Sequence, residues 1–207
     1  TTAEVENYPG FPEGVSGLDL GDHFAQQADA QGAEVRKFSP VEKIERSGHG
    51  FTLTVDGESV NARSVIVATG ATPKKLGIPG EAEFTGCSVS WCATCDGMFF
   101  RGREVAVIGG GNSAIEEALY LSKIVSRVHL VHRRQGFRAD TVLVERARAA
   151  ENIEFHLDRT PIEIVAGDGC VGGLRVKSTI DGAEETIPLS GVFEFIGTDP
   201  QSELLAD

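Results

Sequence analysis

Residues 103–108 read as a buried strand, and they run without a break into Gly109-Gly110-Gly111-Asn112-Ser113-Ala114, after which a helical pattern continues to about residue 123. An apolar strand feeding a glycine turn and a helix is half of a βαβ unit, and such a unit requires a parallel sheet covered on its faces. Residues 127–132 supply the next strand. On the helix between the two strands, Ile115, Ala118, Leu119 and Ser122 fall on one face at helical spacing. In the turn, Gly109 permits the tight bend, Gly111 lets the backbone approach a pyrophosphate, and the small Ala114 allows helix and strand to pack closely. Gly109, Gly110, Gly111, Asn112, Ser113 and Ala114 are therefore expected to receive a dinucleotide at a helix N-terminus.

A glycine pattern alone is weak evidence, since 167–172 (Gly-Asp-Gly-Cys-Val-Gly) matches the same template. That stretch lies between two β-rich runs, 162–165 and 174–176, so it reads as a hairpin loop with no helix to present to a phosphate. The choice of nucleotide is read at the end of the strand after the first turn. NAD sites place an acid about 20 residues on, to accept the ribose hydroxyls. This chain has His132-Arg133-Arg134 there, with Arg138 following. An arginine pair at a strand end is by itself more often solvated surface, but at this offset a fork of guanidiniums suits a 2′-phosphate. The expected nucleotide is NADPH.

Upstream of the turn lies Trp91-Cys92-Ala93-Thr94-Cys95-Asp96-Gly97. Two residues between cysteines let both sulfurs meet across one turn, so a disulfide closes and reopens by thiol exchange. Zinc is the competing reading, but it needs two further ligands, and only the isolated Cys87 and Cys170 and scattered histidines remain among the four cysteines and five histidines. Asp96, next to Cys95, reads either as a helix cap or as a general acid for a dithiol that gains and loses protons. Cys92, Cys95 and Asp96 are the candidate catalytic residues, and no metal is expected.

The remaining chain falls into two parts. Residues 17–31 show helical spacing, 34–38, 41–46, 51–55 and 59–61 read as a meander turned at Ser47-Gly48 and Asp56-Gly57, and 64–68 is a near-continuous apolar strand ending at Thr69-Gly70. From Lys74 the order changes to the βαβ pattern, with a second helix at 138–150 and strands at 153–157, 162–165, 173–179, 185–189 and 191–196. A formal net charge of -12 argues against nucleic acid and anionic membrane surfaces as partners. No apolar run approaches the roughly 18 residues of a spanning helix. Thr1-Thr2-Ala3-Glu4 carries no leader pattern, so the expected location is cytoplasmic.

These residues together resemble the low-molecular-weight thioredoxin reductases of bacteria and archaea. The resemblance runs from Glu4 to about Gln201, through Glu6-Asn7-Tyr8-Pro9-Gly10-Phe11, Val67-Ala68-Thr69-Gly70-Ala71, the Cys92–Gly97 string, Val107 to Ala114, and His132-Arg133-Arg134-x-x-x-Arg138. The flavoprotein of alkyl hydroperoxide reductase shares the cysteine and glycine motifs but is NADH-linked, and the arginine string disfavours it. The resemblance implies an α/β fold of two Rossmann-like three-layer domains. A complete NADPH-binding domain, 74–198, would interrupt a partial FAD-binding domain, 1–73, that resumes at 199–207. It also implies a homodimeric flavoenzyme that passes electrons from NADPH to FAD, to Cys92/Cys95 and on to thioredoxin or a thioredoxin-like protein.

By position, Cys95 would face the flavin and Cys92 would attack the partner's disulfide, with Asp96 moving the proton. Asn7, Ala68, Thr69 and Gly70 would touch FAD, and Ile196 and Gly197 would close over the nicotinamide nucleotide. The family swings one domain against the other, and 69–75 and 197–200 would be the hinge strands. Family members also carry an N-terminal Gly-x-Gly-x-x-Gly unit and a C-terminal Gly-Asp motif for FAD, and neither occurs in this sequence. The chain therefore reads as the central part of such a protein. Two function classes stay open: a flavin-dependent disulfide reductase, and an NADPH-binding fragment without catalysis.

Overall fold

The computed structural model describes residues 4–5 and 8–205. The chain divides into two compact units, one of Pro73–Gly197 and one of the residues before and after it. Among the described residues no helix is long and apolar enough to cross a membrane.

In the unit that the chain enters first, α1 (Gly17–Ala30) is started by Ser16, whose hydroxyl accepts the N–H of Asp19 at 3.0 Å. Strands β1 (Val41–Ser47), β2 (Gly50–Val55) and β3 (Glu58–Ala62) form the expected antiparallel meander. Asp56 and Gly57 both take positive φ, 52° and 76°, as a two-residue hairpin turn that follows the strand twist requires. Two expected strands are absent. Residues 34–38 are irregular, with Phe38 at φ 61° and wholly exposed. Residues 64–68 are also irregular, and Ile66 is 93% exposed. Both runs have strand composition, but a strand exists only as a ladder, and neither run pairs with another among the described residues. The short β4 (Ala71–Pro73) leads out of this unit.

The unit Pro73–Gly197 is a three-layer body. After α2 (Glu81–Phe84), β5 (Val89–Ser90) and α3 (Ala93–Asp96) come β6 (Glu104–Gly109), α4 (Asn112–Ser122), β7 (Arg127–His132), α5 (Thr141–Ala149) and β8 (Ile153–Leu157). An antiparallel sheet follows, β9 (Arg159–Ala166), β10 (Val171–Ser178) and β11 (Glu184–Pro188), before β12 (Gly191–Phe195) returns. The central sheet has the order β5-β12-β6-β7-β8 with every pairing parallel. Alternation along its strands divides the core. Val105, Val107, Val128, Leu130 and Phe193 pack under α4 and α5, whereas Ala106, Ile108, Val131 and Val192 pack against Ile164, Leu174, Val176 and Ile187 of the antiparallel sheet. Each fully buried Val, Leu, Ile or Phe side chain among these contributes about 1.5–3 kcal/mol. β13 (Thr198–Pro200) then pairs with β4 as the chain leaves.

On α4, Ile115 and Ala118 are buried as their spacing indicated, but Ala114 and Leu121 complete the buried face, and Leu119 and Ser122 sit at its margin. The second helix starts at Thr141, three residues later than expected. Arg138 is held out of it because its N–H donates to the carbonyl of Gly110 at 2.8 Å. The 167–172 loop is a hairpin connection, closed by Gly167 N–H to the Cys170 carbonyl at 2.7 Å.

Two acids are buried in the second core. The carboxylate of Glu81 accepts the N–H groups of Leu76, Gly77 and Ile78. Glu194, on β12, is 1% exposed, and among the described residues neither carboxyl oxygen has a hydrogen-bond partner. Burial first, and the charge of Glu81 second, push its pKa up from 4.5 to about 8. The folded protein thus keeps this proton in a pH range where the unfolded chain has lost it, so stability falls as pH rises from about 4.5 to about 8 and then levels. Glu194→Gln is expected to flatten that slope and to unfold at higher denaturant than the parent above about pH 8, in unfolding titrations run across pH. Parallel pH profiles for the two proteins would exclude Glu194 as the source.

Candidate active site

Because β5, β12, β6 and β7 are parallel, their carboxyl ends lie along one edge of the sheet. Four expected segments follow from those ends in spatial order: Trp91-Cys92 after β5, Ile196-Gly197 after β12, the glycine turn at the end of β6, and Arg133-Arg134 after β7. Loops at the carboxyl edge of an open parallel sheet are where such folds bind ligands.

The three glycines of the turn do different things. A Cβ on Gly109 would lie 2.4 Å from the Phe195 carbonyl oxygen and 2.7 Å from Ala114 Cβ, so this glycine and that alanine let strand and helix close up. A Cβ on Gly110 would enter the His132 imidazole, 2.2 Å from Cε1. Gly111 faces open space and precedes the first residue of α4 without a capping side chain. The first-turn N–H groups at Asn112, Ser113 and Ala114 therefore have no cap from Gly111, and a bare backbone at a helix N-terminus suits a pyrophosphate.

The surrounding residues fix the turn. The Asn112 amide donates to Asp140 Oδ2 and accepts the Asp140 N–H, both at 2.9 Å, which ties α4 to the start of α5. The His132 ring stacks on Phe137 with 5.2 Å between centroids and bonds the Gly136 carbonyl through Nε2 at 3.2 Å. Burial lowers its pKa, and the adjacent Arg133, Arg134 and Arg138 add to that, so the imidazole is neutral near pH 7. His132 thus supports the turn from beneath. Arg133, Arg134 and Arg138 are exposed, and none is in an ion pair among the described residues, in a chain whose net charge is -12. Ile196 packs on the second core, and the Gly197 carbonyl accepts the Lys74 N–H at 3.0 Å.

Cys92 and Cys95 are joined as a disulfide, with Cα atoms 5.3 Å apart. Cys92 precedes α3 and its sulfur accepts the Cys95 N–H at 3.2 Å. Cys95 is exposed and Cys92 half-buried. The Ser90 hydroxyl donates a hydrogen bond to Asp96 Oδ2 at 2.6 Å, and the same hydroxyl accepts the Cys92 N–H at 3.0 Å. One buried serine therefore holds both the acid and the backbone of a sulfur. Ser90 was not singled out by the sequence reading, because a serine two residues before a cysteine has no pattern of its own; Asp140 escaped for the same reason.

The expected flavin contacts lie elsewhere. Asn7 falls outside the described residues. Ala68, Thr69 and Gly70 belong to the other unit, where the Thr69 hydroxyl donates to the Gln201 carbonyl and the Gly70 carbonyl accepts the Gln201 N–H at 2.9 Å.

A family model described as pyridine nucleotide-disulphide oxidoreductase matches residues 1–207. A thioredoxin reductase of Mycolicibacterium smegmatis is 47% identical over 205 residues, 99% of this chain and 65% of that protein. The bifunctional thioredoxin reductase/thioredoxin of Mycobacterium leprae is 47% identical over 208 residues, 100% of this chain and 45% of that protein. Among solved structures, the thioredoxin reductase of Lactococcus lactis in its FR conformation matches with a TM-score of 0.94 and 39% identity, over 100% of this chain and 67% of that one. The chain thus spans about 65% of the length of the Mycolicibacterium relative.

Ser90→Ala removes a hydrogen bond to a carboxylate and leaves the Cys92 N–H without its acceptor. The expected cost is about 1.5–3 kcal/mol in the unfolding free energy of the oxidised protein, measured by denaturant titration. Unchanged stability would mean that Ser90 does not organise the site.

Proposed function

The chain belongs to the pyridine nucleotide-disulphide oxidoreductase family, and from that premise we propose that it is the central part of a thioredoxin reductase, which uses NADPH to reduce the Cys92–Cys95 disulfide and through it a thioredoxin-like protein. The observation that carries this reading is the placement of a disulfide and a bare glycine turn with unpaired arginines along one edge of a single parallel sheet. The reading takes Pro73–Gly197 as the NADPH-binding domain and the remainder as part of an FAD-binding one. It also carries a homodimer, which the resemblance implies, and a cytoplasmic location.

The residues present suit the nucleotide. Gly111 leaves room for the pyrophosphate that a Cβ would fill, the helix behind it directs N–H groups at that space, and Arg133, Arg134 and Arg138 supply the charge a 2′-phosphate needs. Ile196 and Gly197, two strands from the arginines, border the same edge. FAD would supply the two-electron relay between the nicotinamide and the disulfide. Asn7, Ala68, Thr69 and Gly70 are the residues proposed to contact it. Opening the disulfide leaves two sulfurs and requires protons; Asp96, whose carboxylate accepts the Ser90 hydroxyl, is the residue proposed to supply one and later remove it. The thiolate of Cys92 then attacks the partner's disulfide, and Cys95 resolves the mixed disulfide.

Nucleotide titrations test the binding half. Gly111→Ala should leave the unfolding midpoint unchanged and weaken NADPH and NADH alike, because the new methyl group meets no protein atom and occupies the space assigned to phosphate. Arg133→Ala with Arg134→Ala should weaken NADPH at least tenfold more than NADH, at about 1.5–3 kcal/mol per lost charge-assisted bond. An unchanged NADPH/NADH ratio removes the phosphate role.

Electron transfer tests the rest. The chain alone is expected to bind NADPH and to hold FAD weakly or not at all; in a full-length, flavin-bound protein, NADPH should bleach the flavin absorption under anaerobic conditions and generate titratable thiols at Cys92 and Cys95. Cys95→Ser should stop transfer out of the flavin, and Cys92→Ser should keep flavin reduction while abolishing thioredoxin turnover. NADPH binding without thiol formation in that flavin-bound protein favours the alternative, a nucleotide-binding unit without catalysis.

A further inference from the structure

Toward the amino ends of β6 and β7, away from the glycine turn, the central sheet carries a polar cluster that the redox reading does not use. His129 lies on β7 opposite Glu154 of β8, with His156 two residues along β8 and Glu104 on β6 to the other side. Val128, Leu130, Ile153 and Phe155 alternate with these residues and pack into the core under α4 and α5, so the cluster occupies the opposite face of the sheet.

The orientation of His129 is set by one contact. Its Nε2 lies 2.9 Å from Glu104 Oε2, and a carboxylate there fixes the ring proton on Nε2. The Nδ1 lone pair therefore points the other way, 3.0 Å from His156 Nε2 and 4.0 Å from Glu154 Oε2. His156 Nε2 is 3.4 Å from Glu154 Oε1. Arg127 takes Glu154 Oε2 at 2.6 Å and leaves Oε1 as the carboxylate oxygen available to a ligand. Ligands about 2.0–2.2 Å from a tetrahedral ion are roughly 3.3 Å from one another, and one atom from each of the three side chains lies within 4.8 Å of the others. A ligating imidazole whose second nitrogen is held by a carboxylate is the usual arrangement at zinc.

We propose that His129 Nδ1, His156 Nε2 and Glu154 Oε1 form a binding site for one divalent transition-metal ion of the zinc class, with water in the fourth position. Two imidazoles and a carboxylate select such ions over calcium or magnesium, which prefer all-oxygen sites. Glu104 and Glu154 against Arg127 leave the cluster with a net negative charge that favours a cation. His129 is buried, His156 half-buried and Glu154 exposed, so the cluster is open to solvent on its Glu154 side. A bound ion bridges β7 to β8 and stabilises the folded unit by mass action. None of these residues lies on the carboxyl edge, so this proposal stands or falls apart from the redox function.

The test is calorimetric titration of the full, untagged, oxidised chain with ZnCl2, together with thermal unfolding with and without the ion. One Zn2+ per chain and a raised unfolding temperature are expected. His156→Ala and, as a variant that keeps the side-chain shape, Glu154→Gln should each weaken binding at least tenfold. Co2+ used in place of zinc should give visible bands of a tetrahedral nitrogen and oxygen site without thiolate charge-transfer absorption. No saturable binding, affinity unchanged in the folded Glu154→Gln protein, or a thiolate signature from Cys87 or Cys170 would each overturn the assignment and leave the cluster as a histidine–histidine hydrogen bond.

Discussion

The parallel ladder from β5 to β8 is the constraint on which the candidate active site depends. Parallel neighbours must all end on the same side, so a disulfide after β5, a glycine turn after β6 and arginines after β7 are brought together although the sequence separates them by tens of residues. The closeness of strand and helix at Gly109 sets how tightly this can be done. With the Phe195 carbonyl on one side and Ala114 on the other there is no room for a Cβ, and the helix N-terminus is delivered directly to the sheet edge. Support comes from behind through the His132 ring under Gly110 and the Arg138 N–H on its carbonyl. Arg138, one of the arginines that face outward, is thus anchored by the same backbone that forms the glycine turn.

Where periodicity reports burial on two faces, the sequence was an accurate guide. Residues 127–132 and 153–157 form strands with the expected limits, the second meander turn falls at Asp56-Gly57, where both residues take positive φ, and the first falls at Gly48-His49, one residue past the Ser47-Gly48 signal because Ser47 still pairs with Gly50. The decoy at 167–172 was separable because a helix N-terminus, not glycine, is what holds phosphate. The failures share a cause. Residues 34–38 and 64–68 have strand composition, yet a ladder partner is a property of the fold and not of the segment. The start of α5 was misplaced because a hydrogen bond to Gly110, distant in sequence, claims Arg138. Ser90 and Glu194 were invisible for a related reason, since each matters through neighbours from other elements and neither belongs to a motif.

The charge distribution runs against composition at the positions that matter. Among the described residues, this acidic chain keeps three arginines out of ion pairs at the carboxyl edge of the sheet, while both carboxyl oxygens of Glu194 are buried without a hydrogen-bond partner. The first feature suits an anionic ligand. The second costs stability in a low-dielectric core and is tolerated because the group can hold a proton. Glu81, by contrast, stays satisfied through three backbone N–H groups of the loop before α2. Two carboxyls in one core thus meet burial by different means.

The pairing of β4 with β13 has a consequence for how such a chain is assembled over generations. The Lys74 N–H reaches the Gly197 carbonyl, so Pro73–Gly197 starts and finishes at neighbouring points. To the rest of the chain, a body with adjoining ends is equivalent to a short loop, because its internal order has already removed the closure entropy of the intervening residues. It is a cassette. Such a segment can be gained, lost or exchanged whole at a single surface turn without disturbing the host's register, and its own core travels with it.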